Sequence, residues 1–526
     1  MSTPIRPFFS VVTPVYEPPL DVLREMIQSV RSQTFQDWEF VLVDDRSPSE
    51  DVRRVLRQAA IHDRRIRVIE RAENGRIVAA SNDAVAAACG EFLVFIDHDD
   101  LLAPTALEAV AAVIVREPLV DYIYTDEDKV DADGQHYNEF LKPEWSPERL
   151  RGQMYTGHLS VMRAELVRRV GGFHQGFDGS QDHDLALRVT EQARKVVHIP
   201  EVLYSWRVVP GSAAGDVNAK PYARDAGRRA VQAHLDRCGI PGRVSISDVP
   251  GCYRVERDPD LALLVSVVIP TRGGTGLVWG QRRCFVVDAV KSIIAKAGID
   301  RFEVVVVFDP QTPKAVLEEL REVAGDRLLL VPFDEPFNFS AKCNVGFLAS
   351  SGDVIALLND DLEVISDGFL GQLIAPLSER DVGMTGAHLL YGDSTVQHAG
   401  HAYVAGHYAH ALQGTPQDDP GPFGILRINR EVSGLTAACV ALRREVYEEV
   451  GGFWEELPGS FNDVDFSFKI RAAGYRLVWL ADVRLYHFES RTRDKTVQPY
   501  EHELILSRWG LPEQDPYLPG LLHVPA

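Results

Sequence analysis

The sequence predicts an α/β protein built of two similar halves, each with a parallel sheet that helices cover on both faces. Short runs of β-branched and aromatic residues alternate with helical patterns of apolar residues, and the same order of runs occurs twice along the chain. A chain of 526 residues is also too long for one ordinary core. Two domains are therefore expected.

Four apolar runs predict the strands of the first half, at residues 8–16, 38–45, 66–70 and 91–97. Between the first two runs, apolar residues repeat at helical spacing from Leu20 to Val30, directly behind Pro18 and Pro19. The second half repeats this order, with a helical pattern after its first run and with runs at residues 264–271, 302–309, 328–333 and 353–360.

Corresponding residues of the two halves keep a nearly constant separation in the chain. The clearest pairs are Ser10 with Ser266, Asp45 with Asp309, and Asp99 with Asp361. We interpret this pattern as a duplication. The first domain is expected at residues 1–240, a linker at 241–262, where turn residues alternate with short polar runs, and the second domain at 263–526.

Two elements with the sequence VGGF show where the halves differ. VGGFHQGFDGSQDHDLALRV at residues 170–189 corresponds to VGGFWEELPGSFNDVDFSFKI at residues 450–470. The separation between these elements is larger than that between the pairs upstream. The second half therefore carries an insertion, expected around residues 388–430, which are rich in histidine and glycine.

The composition and the charge of the chain argue against several classes of function. Hydrophobic residues make up 45% of the chain and charged residues 25%, which is typical of a folded soluble protein. The net charge of -21 argues against broad binding of nucleic acid or of anionic membranes. The most apolar run, residues 261–270, is too short to span a bilayer, and the N-terminus lacks a secretory pattern, so we expect a cytoplasmic protein. The cysteines contain no C-x-x-C pair and indicate neither a zinc ribbon nor a disulfide framework.

Acidic clusters follow the fourth apolar run of each half, as IDHDD and then as LLNDD. Ligands of parallel sheets collect at the carboxyl ends of the strands. Oxygen ligands two residues apart on such a turn suit one divalent cation, and we assign this role to Asp97 and Asp99 and to Asn359 and Asp361. The alternative is a solvated turn that caps the following helix. Occurrence in both halves favours the metal site.

Each half also has two aspartates at positions i and i+2 where a helical pattern begins. They are Asp182 with Asp184, and Asp463 with Asp465. Asp184 and Asp465 suit a helix N-cap that accepts backbone N–H groups. Asp182 and Asp463 then remain available as general bases that accept the proton of an attacking hydroxyl. The alternative is that both aspartates of each pair only cap the helix.

Three weaker indications accompany these clusters. Asp45 and Asp309 end the second strands, where an acidic side chain suits ribose hydroxyls or the edge of a base. His487, downstream of Asp463, either completes a metal or diphosphate site or is structural. The acidic group at residues 126–128 has no counterpart in the second half, which favours a structural role.

The insertion contains a tract of histidines. Its members are His388, His398, His401, His407 and His410. Their spacing is not that of a helical ligand pair, and no cysteine or carboxylate lies beside them at ligand spacing, so a structural or substrate-lining loop is favoured over a zinc site. The glycines of GGTGLVWG lack the G-x-G-x-x-G spacing, which makes an NAD-dependent oxidoreductase the least favoured class.

Several long motifs occur in a characteristic order. They include SVVTPVY, FIDHDDLLAP, GFDGSQDHDLALR and WRVVPGSAA in the first half, and VSVVIPTR, LLNDDLEVIS, NDVDFSFK and LYHFESRTR in the second. In these motifs the chain resembles tandem bacterial family-2 glycosyltransferases of polysaccharide and O-antigen biosynthesis. The resemblance implies two tandem GT-A domains, which is the Rossmann-like fold of nucleotide-diphospho-sugar transferases.

The resemblance also implies roles for individual residues. A divalent metal, Mg²⁺ or Mn²⁺, is implied at Asp97, Asp99, Asn359, Asp361 and His487. The catalytic-base positions fall on Asp182 and Asp463. Contacts to the sugar nucleotide are implied for Pro14, Asp45, Asp97, Pro270, Asp309 and Asp360. The acidic clusters are thus expected to hold a cation against the diphosphate of the donor.

The implied reaction is inverting transfer of a sugar from a nucleotide-sugar donor, of the UDP-hexose or dTDP-rhamnose type, to a glycan or lipid-linked glycan at the inner face of the cell membrane. Each half would form one linkage, without nucleic acid and with peripheral contact to the membrane or its assembly machinery. Two departures qualify the resemblance, because Ser205 replaces a usual histidine and VFDPQT keeps only Asp309 of a two-acid signature. The alternatives are one active half with a degenerate scaffold or glycan-binding half, and a non-catalytic carbohydrate-binding protein.

Overall fold

The computed structural model describes residues 6–208, 221–404, 406–488, 497–510 and 512–520. The ends of two quoted motifs, VPGSAA at 209–214 and ESRTR at 489–493, lie outside these residues. Within the described ranges, no helix combines the length and the apolar character needed to cross a bilayer. The chain forms two compact units. The first comprises Met1–Ser146, Gln153–Ile240 and Val244–Tyr253, and the second comprises Pro147–Gly152, Pro241–Arg243 and Arg254–Ala526.

Strands and helices alternate along the first half of the chain. The strands are β1 (Phe9–Val15), β2 (Trp38–Asp44), β3 (Ile66–Glu70), β4 (Phe92–Phe95), β5 (Leu101–Leu102), β6 (Tyr122–Val130), β7 (His136–Phe140), β8 (Ser160–Arg163) and β9 (Val196–Arg207). The helices are α1 (Leu20–Arg31), α2 (Glu50–His62), α3 (Arg76–Ala87), α4 (Ala106–Arg116), α5 (Pro147–Gly152), α6 (Ala164–Arg169), α7 (Gln181–Thr190) and α8 (Pro221–Cys238).

The main sheet of the first unit has the strand order β3-β2-β1-β4-β8-β6-β9-β5, with β7 paired to β6. Strand β1 is parallel to β2 and β4, whereas β8 is antiparallel to β4 and β6. The sheet is therefore mixed, which corrects the expectation of a parallel sheet. Apolar runs do not encode strand direction, and the antiparallel strands come from outside the four predicted runs.

A change of direction beside β1 places the candidate site. The chain runs from β1 outward to β2 and β3 and then returns to β4 on the other side of β1. In α/β sheets, ligands bind at such a point, outside the carboxyl ends of the two central strands. The acidic cluster IDHDD begins one residue after β4, at this end of the sheet.

The second half contains the remaining elements. Its strands are β10 (Gly242–Ile246), β11 (Tyr253–Arg257), β12 (Val265–Thr271), β13 (Thr275–Val278), β14 (Gln281–Cys284), β15 (Phe302–Phe308), β16 (Leu328–Pro332), β17 (Val354–Leu358), β18 (Leu362–Val364), β19 (Val382–Leu390), β20 (Val396–His398), β21 (His401–Val404), β22 (His407–His410), β23 (Arg430–Glu431), β24 (Cys439–Arg443) and β25 (Arg476–His487). Its helices are α9 (Phe285–Lys296), α10 (Lys314–Ala324), α11 (Phe339–Ala349), α12 (Phe369–Ile374), α13 (Arg444–Glu449), α14 (Asn462–Ala472) and α15 (Pro499–Trp509).

The main sheet of the second unit repeats the strand order of the first. Its order is β16-β15-β12-β17-β24-β19-β25-β18, with β20 paired to β19 and β23 to β25. Strand β12 is buried along its whole length between the two helical layers, as expected for a central parallel strand. The two halves therefore share one fold, as the spacing of the matched residues predicts.

Two segments of the chain depart from the simplest division into halves. The insertion predicted around residues 388–430 lies between β19 and β24, where it forms β20, β21, β22 and β23. Residues 241–262, predicted as a linker, contain β10 and β11, which pair with each other. The short helix α5 belongs to the second compact unit although it lies within the first half of the sequence, which its composition does not indicate.

Candidate functional site

A cavity of about 360 Å³ lies in the second unit, at the carboxyl ends of β12 and β17. Its lining includes the acidic cluster Asn359–Asp361, the aspartate Asp463 and the histidine His487. The acidic cluster follows β17, Asp463 lies in the first turn of α14, and His487 ends β25. The fold thus brings residues from three distant parts of the second half into one cavity.

The candidate metal group consists of Asn359, Asp361 and His487. The Nε2 atom of His487 lies 3.1 Å from Oδ1 of Asp361 and 3.3 Å from Nδ2 of Asn359. On the other side of the ring, Nδ1 lies 2.8 Å from Oε1 of Gln397, an acceptor that fixes the proton on Nδ1. In a neutral ring, the lone pair of Nε2 therefore faces the carboxylate of Asp361.

Asn359 adds a buried oxygen to this group. Its Oδ1 has no hydrogen-bond partner among the described residues. An imidazole lone pair 3.1 Å from a carboxylate oxygen is favourable only when a proton or a cation lies between them. The three side chains therefore have the donor atoms of a divalent-cation site.

Asp463 lies at the N-terminus of α14 and accepts one backbone hydrogen bond. Its Oδ1 accepts the N–H group of Val464 at 2.9 Å, and its Oδ2 lies 3.9 Å from Nε2 of His401. Asp465, predicted as the N-cap, instead lies inside the helix and accepts a hydrogen bond from Nε1 of Trp509 at 2.8 Å. The capping prediction for Asp465 is therefore wrong, because its carboxylate fastens α15 to α14.

The remaining acidic residues of the site are held by hydroxyl and ammonium groups. Oδ2 of Asp360 accepts a hydrogen bond from Thr271 at 2.6 Å. Burial and the neighbouring charge of Asp361 raise the pKa of Asp360 to about 7. Asp309 pairs with Nζ of Lys342 and lies 3.2 Å from Nε of Arg272.

Pro270 and Lys342 also line the cavity, beside the acidic cluster. Lys342 is buried in α11 and donates from Nζ to the carbonyl of Thr271 at 2.9 Å. This lysine was not predicted from the sequence, because nothing in the local pattern FSAKCNVG distinguishes it from an ordinary helical residue. It supplies positive charge at the position where a diphosphate is expected.

In the first unit, the cluster after β4 has a different set of contacts. Asp100 is buried and accepts hydrogen bonds from the Tyr204 hydroxyl at 2.6 Å and from the backbone of Arg207 at 2.8 Å. Asp97 is half exposed, and its Oδ2 lies 3.8 Å from Nε2 of His158. Burial raises the pKa of Asp99, and the charge of Asp97 adds to this effect.

Strand pairing identifies the counterpart of His487 in the first unit. Leu362 pairs with His487 between β18 and β25, and Leu101 pairs with Ser205 between β5 and β9. Ser205 therefore occupies the position of the histidine, as the motif comparison predicts. Its hydroxyl lies 3.4 Å from Nδ1 of His136, so at this position β9 supplies a hydroxyl where β25 supplies an imidazole.

Asp182 repeats the geometry of Asp463 in the first unit. Its Oδ1 accepts the N–H group of His183 at 2.9 Å, at the start of α7. Asp184, predicted as the N-cap, is buried and accepts from Nε and Nη2 of Arg188 at 3.0 and 2.6 Å. The capping prediction for Asp184 is therefore also wrong, because its carboxylate pairs with Arg188, one turn further along the helix.

Two further predicted nucleotide contacts lie at the ends of β1 and β2. Asp45 is buried, and its Oδ1 accepts hydrogen bonds from Nη1 of Arg71 at 2.6 Å and from the N–H group of Gly75 at 2.9 Å. The carbonyl of Pro14 lies 3.4 Å from Nδ1 of His98. Asp45 and Asp309 thus each pair with a basic side chain. In the first unit it is Arg71, between β3 and α3, and in the second it is Lys342 of α11.

The acidic group at residues 126–128 has structural partners. Asp126 lies 2.8 Å from Nε2 of His198, and the Glu127 carboxylate lies 2.8 Å from Nζ of the buried Lys142. Asp128 lies 2.9 Å from Nδ1 of His136. These contacts join β6 to its neighbours, which agrees with the structural role that the sequence favours.

Three histidines of the insertion meet beside the cavity. Strands β21 and β22 pair His401 with His410, and His398 joins them, with Nδ1 at 2.7 Å from Nδ1 of His410. One ring nitrogen of each lies within 4.8 Å of the others. Spacing along the sequence does not show this cluster, because cross-strand pairing creates it.

An asparagine clamp supports the loop that precedes each of α7 and α14, the helices that carry Asp182 and Asp463. Asn344 of α11 donates to the carbonyl of Phe453 at 3.0 Å and accepts its N–H group at 2.9 Å. Gly452, at φ +62°, leaves room for the amide, since a Cβ there would lie 2.6 Å from Oδ1 of Asn344. Asn82 makes the same pair of bonds to Phe173 in the first unit. The clamp explains the second glycine of each VGGF element.

Comparison with known proteins assigns the chain to a family. The model of the family described as glycosyl transferase family 2 matches residues 10–171 and 266–451, one stretch in each half. The chain therefore belongs to this family of glycosyltransferases. Its two α/β units are GT-A domains.

Two relatives match almost the whole chain. A protein of Sinorhizobium fredii described as uncharacterized protein y4gI is 42% identical over 93% of this chain and 54% of its own length. The O-antigen biosynthesis protein RfbC of Myxococcus xanthus is 36% identical over 97% of this chain and 40% of its own length. The chain thus spans about half or less of the length of these relatives. Among solved structures, S. aureus TarS 1-349 in complex with UDP-GlcNAc matches 43% of this chain and 66% of its own, with 19% identity and a TM-score of 0.36.

Proposed function

We propose that the second unit transfers a sugar, with inversion, from a nucleoside-diphosphate sugar of the UDP-hexose or dTDP-rhamnose type to a growing cell-surface glycan, free or lipid-linked. The observation that carries this proposal is that the candidate metal group and Asp463 line the same cavity. A lipid-linked acceptor would bring the protein to the membrane surface from the cytoplasm.

The candidate metal group fits Mg²⁺ or Mn²⁺. It offers two oxygen ligands and one imidazole nitrogen, and Gln397 orients the ring of His487 from behind. A divalent cation bound there would supply positive charge against the departing diphosphate. Lys342 contributes a further positive charge from α11, beside Thr271 and Asp309.

Asp463 acts as the general base in this proposal. Its Oδ2 accepts the proton of the acceptor hydroxyl, whose oxygen forms a bond to the anomeric carbon while the bond from that carbon to the diphosphate oxygen breaks. The electron pair of the broken bond leaves with the nucleoside diphosphate. The hydrogen bond from Val464 to Oδ1 holds the carboxylate in place and leaves Oδ2 facing His401.

For the first unit, a scaffold or glycan-binding role is the second candidate. Ser205 at the position of His487 favours it, because a hydroxyl paired with His136 is a weaker cation ligand than imidazole. Asp182 nevertheless keeps the geometry of Asp463. The alternative that each unit forms one linkage therefore stays open. The experiment that tests the main proposal also tests this alternative.

The test measures release of nucleoside diphosphate and transfer to acceptor glycan, with a panel of UDP- and dTDP-sugars and Mn²⁺ or Mg²⁺. We expect Asp463→Asn to lower transfer about 10²-fold or more. Asp182→Asn should have little effect if the first unit is a scaffold. Asp418→Asn, an exposed position of the insertion, is the matched control.

The outcomes separate the candidates. An equal loss in Asp182→Asn and Asp463→Asn would assign one linkage to each unit. Full transfer by the double variant would refute the base assignment, and sugar-nucleotide binding that is unaffected by metal would refute the metal assignment.

A further inference from the structure

The β21–β22 hairpin, His401–Val404 with His407–His410, forms one wall of the cavity beside Asp463. His401, Tyr408 and His410 of this hairpin all line the cavity. The Tyr408 hydroxyl is buried without a hydrogen-bond partner among the residues that the structure describes. A buried hydroxyl left unpaired is unfavourable, so its position at a cavity wall suits it to bind a polar ligand.

His401 faces the proposed base directly. Its Nε2 lies 3.9 Å from Oδ2 of Asp463, and its side chain is buried. Burial lowers the pKa of His401, so the ring is neutral at neutral pH. The charge of Asp463 favours the tautomer with the proton on Nε2. A hydroxyl oxygen between the two groups can accept from His401 while it donates to Asp463.

Hydrogen bonding also fixes the protons of the two neighbouring histidines. The N–H group of Thr436 donates to Nε2 of His398 at 3.2 Å, so a neutral His398 carries its proton on Nδ1. That proton is shared with Nδ1 of His410, 2.7 Å away. His410 then carries its own proton on Nε2 and is a hydrogen-bond donor. The protonated Nδ1 of His398 has no lone pair for a cation, which argues against a three-histidine metal site.

An aromatic surface completes this wall. The rings of Tyr408 and Phe461 lie 5.5 Å apart, and Phe461 lines the cavity directly before α14. Phe461 has φ +58°, a strained conformation for an aromatic residue, and such strain persists mostly at ligand sites. The corresponding residue before α7 is Ser180, at φ -146°. Aromatic faces suit the C–H groups of a sugar ring, while the hydroxyl and imidazole groups suit its hydroxyls.

We propose that the β21–β22 hairpin is the acceptor-recognition wall of the second unit, with His401 and Tyr408 binding hydroxyls of the acceptor sugar next to Asp463. This inference rests on the proposed function, because it takes Asp463 as the group that receives the acceptor proton. Among its described residues, the first unit has no counterpart of the β21–β22 hairpin. Between β6 and β8, where the described chain is continuous, the elements are β7, which pairs with β6, and the short helix α5. The two units therefore differ in acceptor recognition.

The test uses the full chain with saturating nucleoside diphosphate, UDP or dTDP, and Mg²⁺. Methyl glycosides of glucose, galactose, N-acetylglucosamine and rhamnose are titrated, and binding is followed by ligand-observed NMR. We expect at least one glycoside to bind and its Kd to rise about 10-fold in Tyr408→Phe and in His401→Phe. The Kd of the nucleoside diphosphate, measured by calorimetry, should change less than 2-fold. Tyr500→Phe, an exposed tyrosine of α15, is the matched control.

Tyr408→Phe removes one oxygen atom and keeps the ring, so it separates recognition from folding. The inference fails if glycoside binding is equal in the wild type and both variants, or if no glycoside of the panel binds. It also fails if the wild type gives visible absorption bands with Co²⁺ that His410→Phe removes, since the cluster would then be a metal site. Failure of the proposed function is distinguishable, because the nucleoside diphosphate itself would then not bind.

Discussion

Gln397 determines the orientation of His487, and therefore the affinity of the candidate metal group. Gln397→Leu keeps the size of the side chain but removes the acceptor for Nδ1. Loss of such a supporting hydrogen bond typically costs 10–100-fold in metal affinity. We predict a loss of about that size for Mn²⁺, measured by electron paramagnetic resonance of the free ion in the presence of nucleoside diphosphate. Gln58→Leu, on an exposed part of α2, is the control, and equal affinity in both variants would contradict the account.

Asp121 ties the start of β6 to two arginines and makes stability depend on pH. Burial opposes the charge, but hydrogen bonds from Arg194 and Arg163 outweigh it and lower the pKa of Asp121 to about 2. Because the folded pKa lies below the ordinary value of 3.8, the contribution is complete above pH 4 and is lost as the pH falls towards 2.

We therefore predict that Asp121→Asn lowers the free energy of unfolding by about 1–2 kcal/mol at pH 7. The difference from the wild type should shrink as the pH falls from 4 to 2. Urea unfolding, followed between pH 2 and 7, measures this effect. Asp133→Asn, on an exposed turn, should show no such dependence. A difference that stays constant with pH would rule out the ion pairs as its cause.

At the scale of elements, the asparagine clamps connect α3 and α11 to the loops that lead into α7 and α14. Asn344→Ala removes the bonds to Phe453 and leaves buried backbone groups unpaired, which costs about 2–3 kcal/mol. We predict that this variant destabilises the second unit and that Asn82→Ala destabilises the first. Hydrogen exchange in β12 and in β1 reports the two units separately. Equal effects on both strands in either variant would contradict the assignment.

Elements that lie between helical layers could be predicted from the sequence. Strands β1, β2 and β12 are buried on both faces and appear as continuous apolar runs. Strand β6 could not be recognised in this way, because its residues Asp126–Asp128 contact His198 of β9, His136 of β7 and Lys142 after β7. The segment therefore reads as an acidic loop. Strand direction was also not predictable, since β8 is only four residues long and its sequence SVMR does not show that it runs antiparallel to β4.

The candidate site was predictable where local pattern determines it. The acidic clusters follow strands, and Asp463 lies in the first turn of a helix. The pattern of apolar residues predicts these elements from the sequence. The insertion that contains His401 and His410 was predicted from the sequence. The contact between the two residues depends on cross-strand pairing, which spacing along the chain does not show. Lys342 and Gln397 were missed for the same physical reason, because their roles arise from contacts between residues far apart in the chain.

At the scale of the whole molecule, duplication has produced two units with the same strand order and different sites. The second unit combines the candidate metal group, Asp463 and the β21–β22 hairpin in one cavity. The first unit keeps Asp182 but has Ser205 in place of the histidine. We therefore propose that metal-dependent binding of the donor belongs to the second unit.

Calorimetric titration of UDP and dTDP, with and without Mn²⁺, tests this assignment most directly. For the wild type, we predict Mn²⁺-dependent binding of one of the two nucleotides. Asp361→Ala should weaken that binding at least 10-fold, and Asp418→Ala should leave it unchanged. Binding that needs no metal, or that Asp361→Ala leaves intact, would contradict the account.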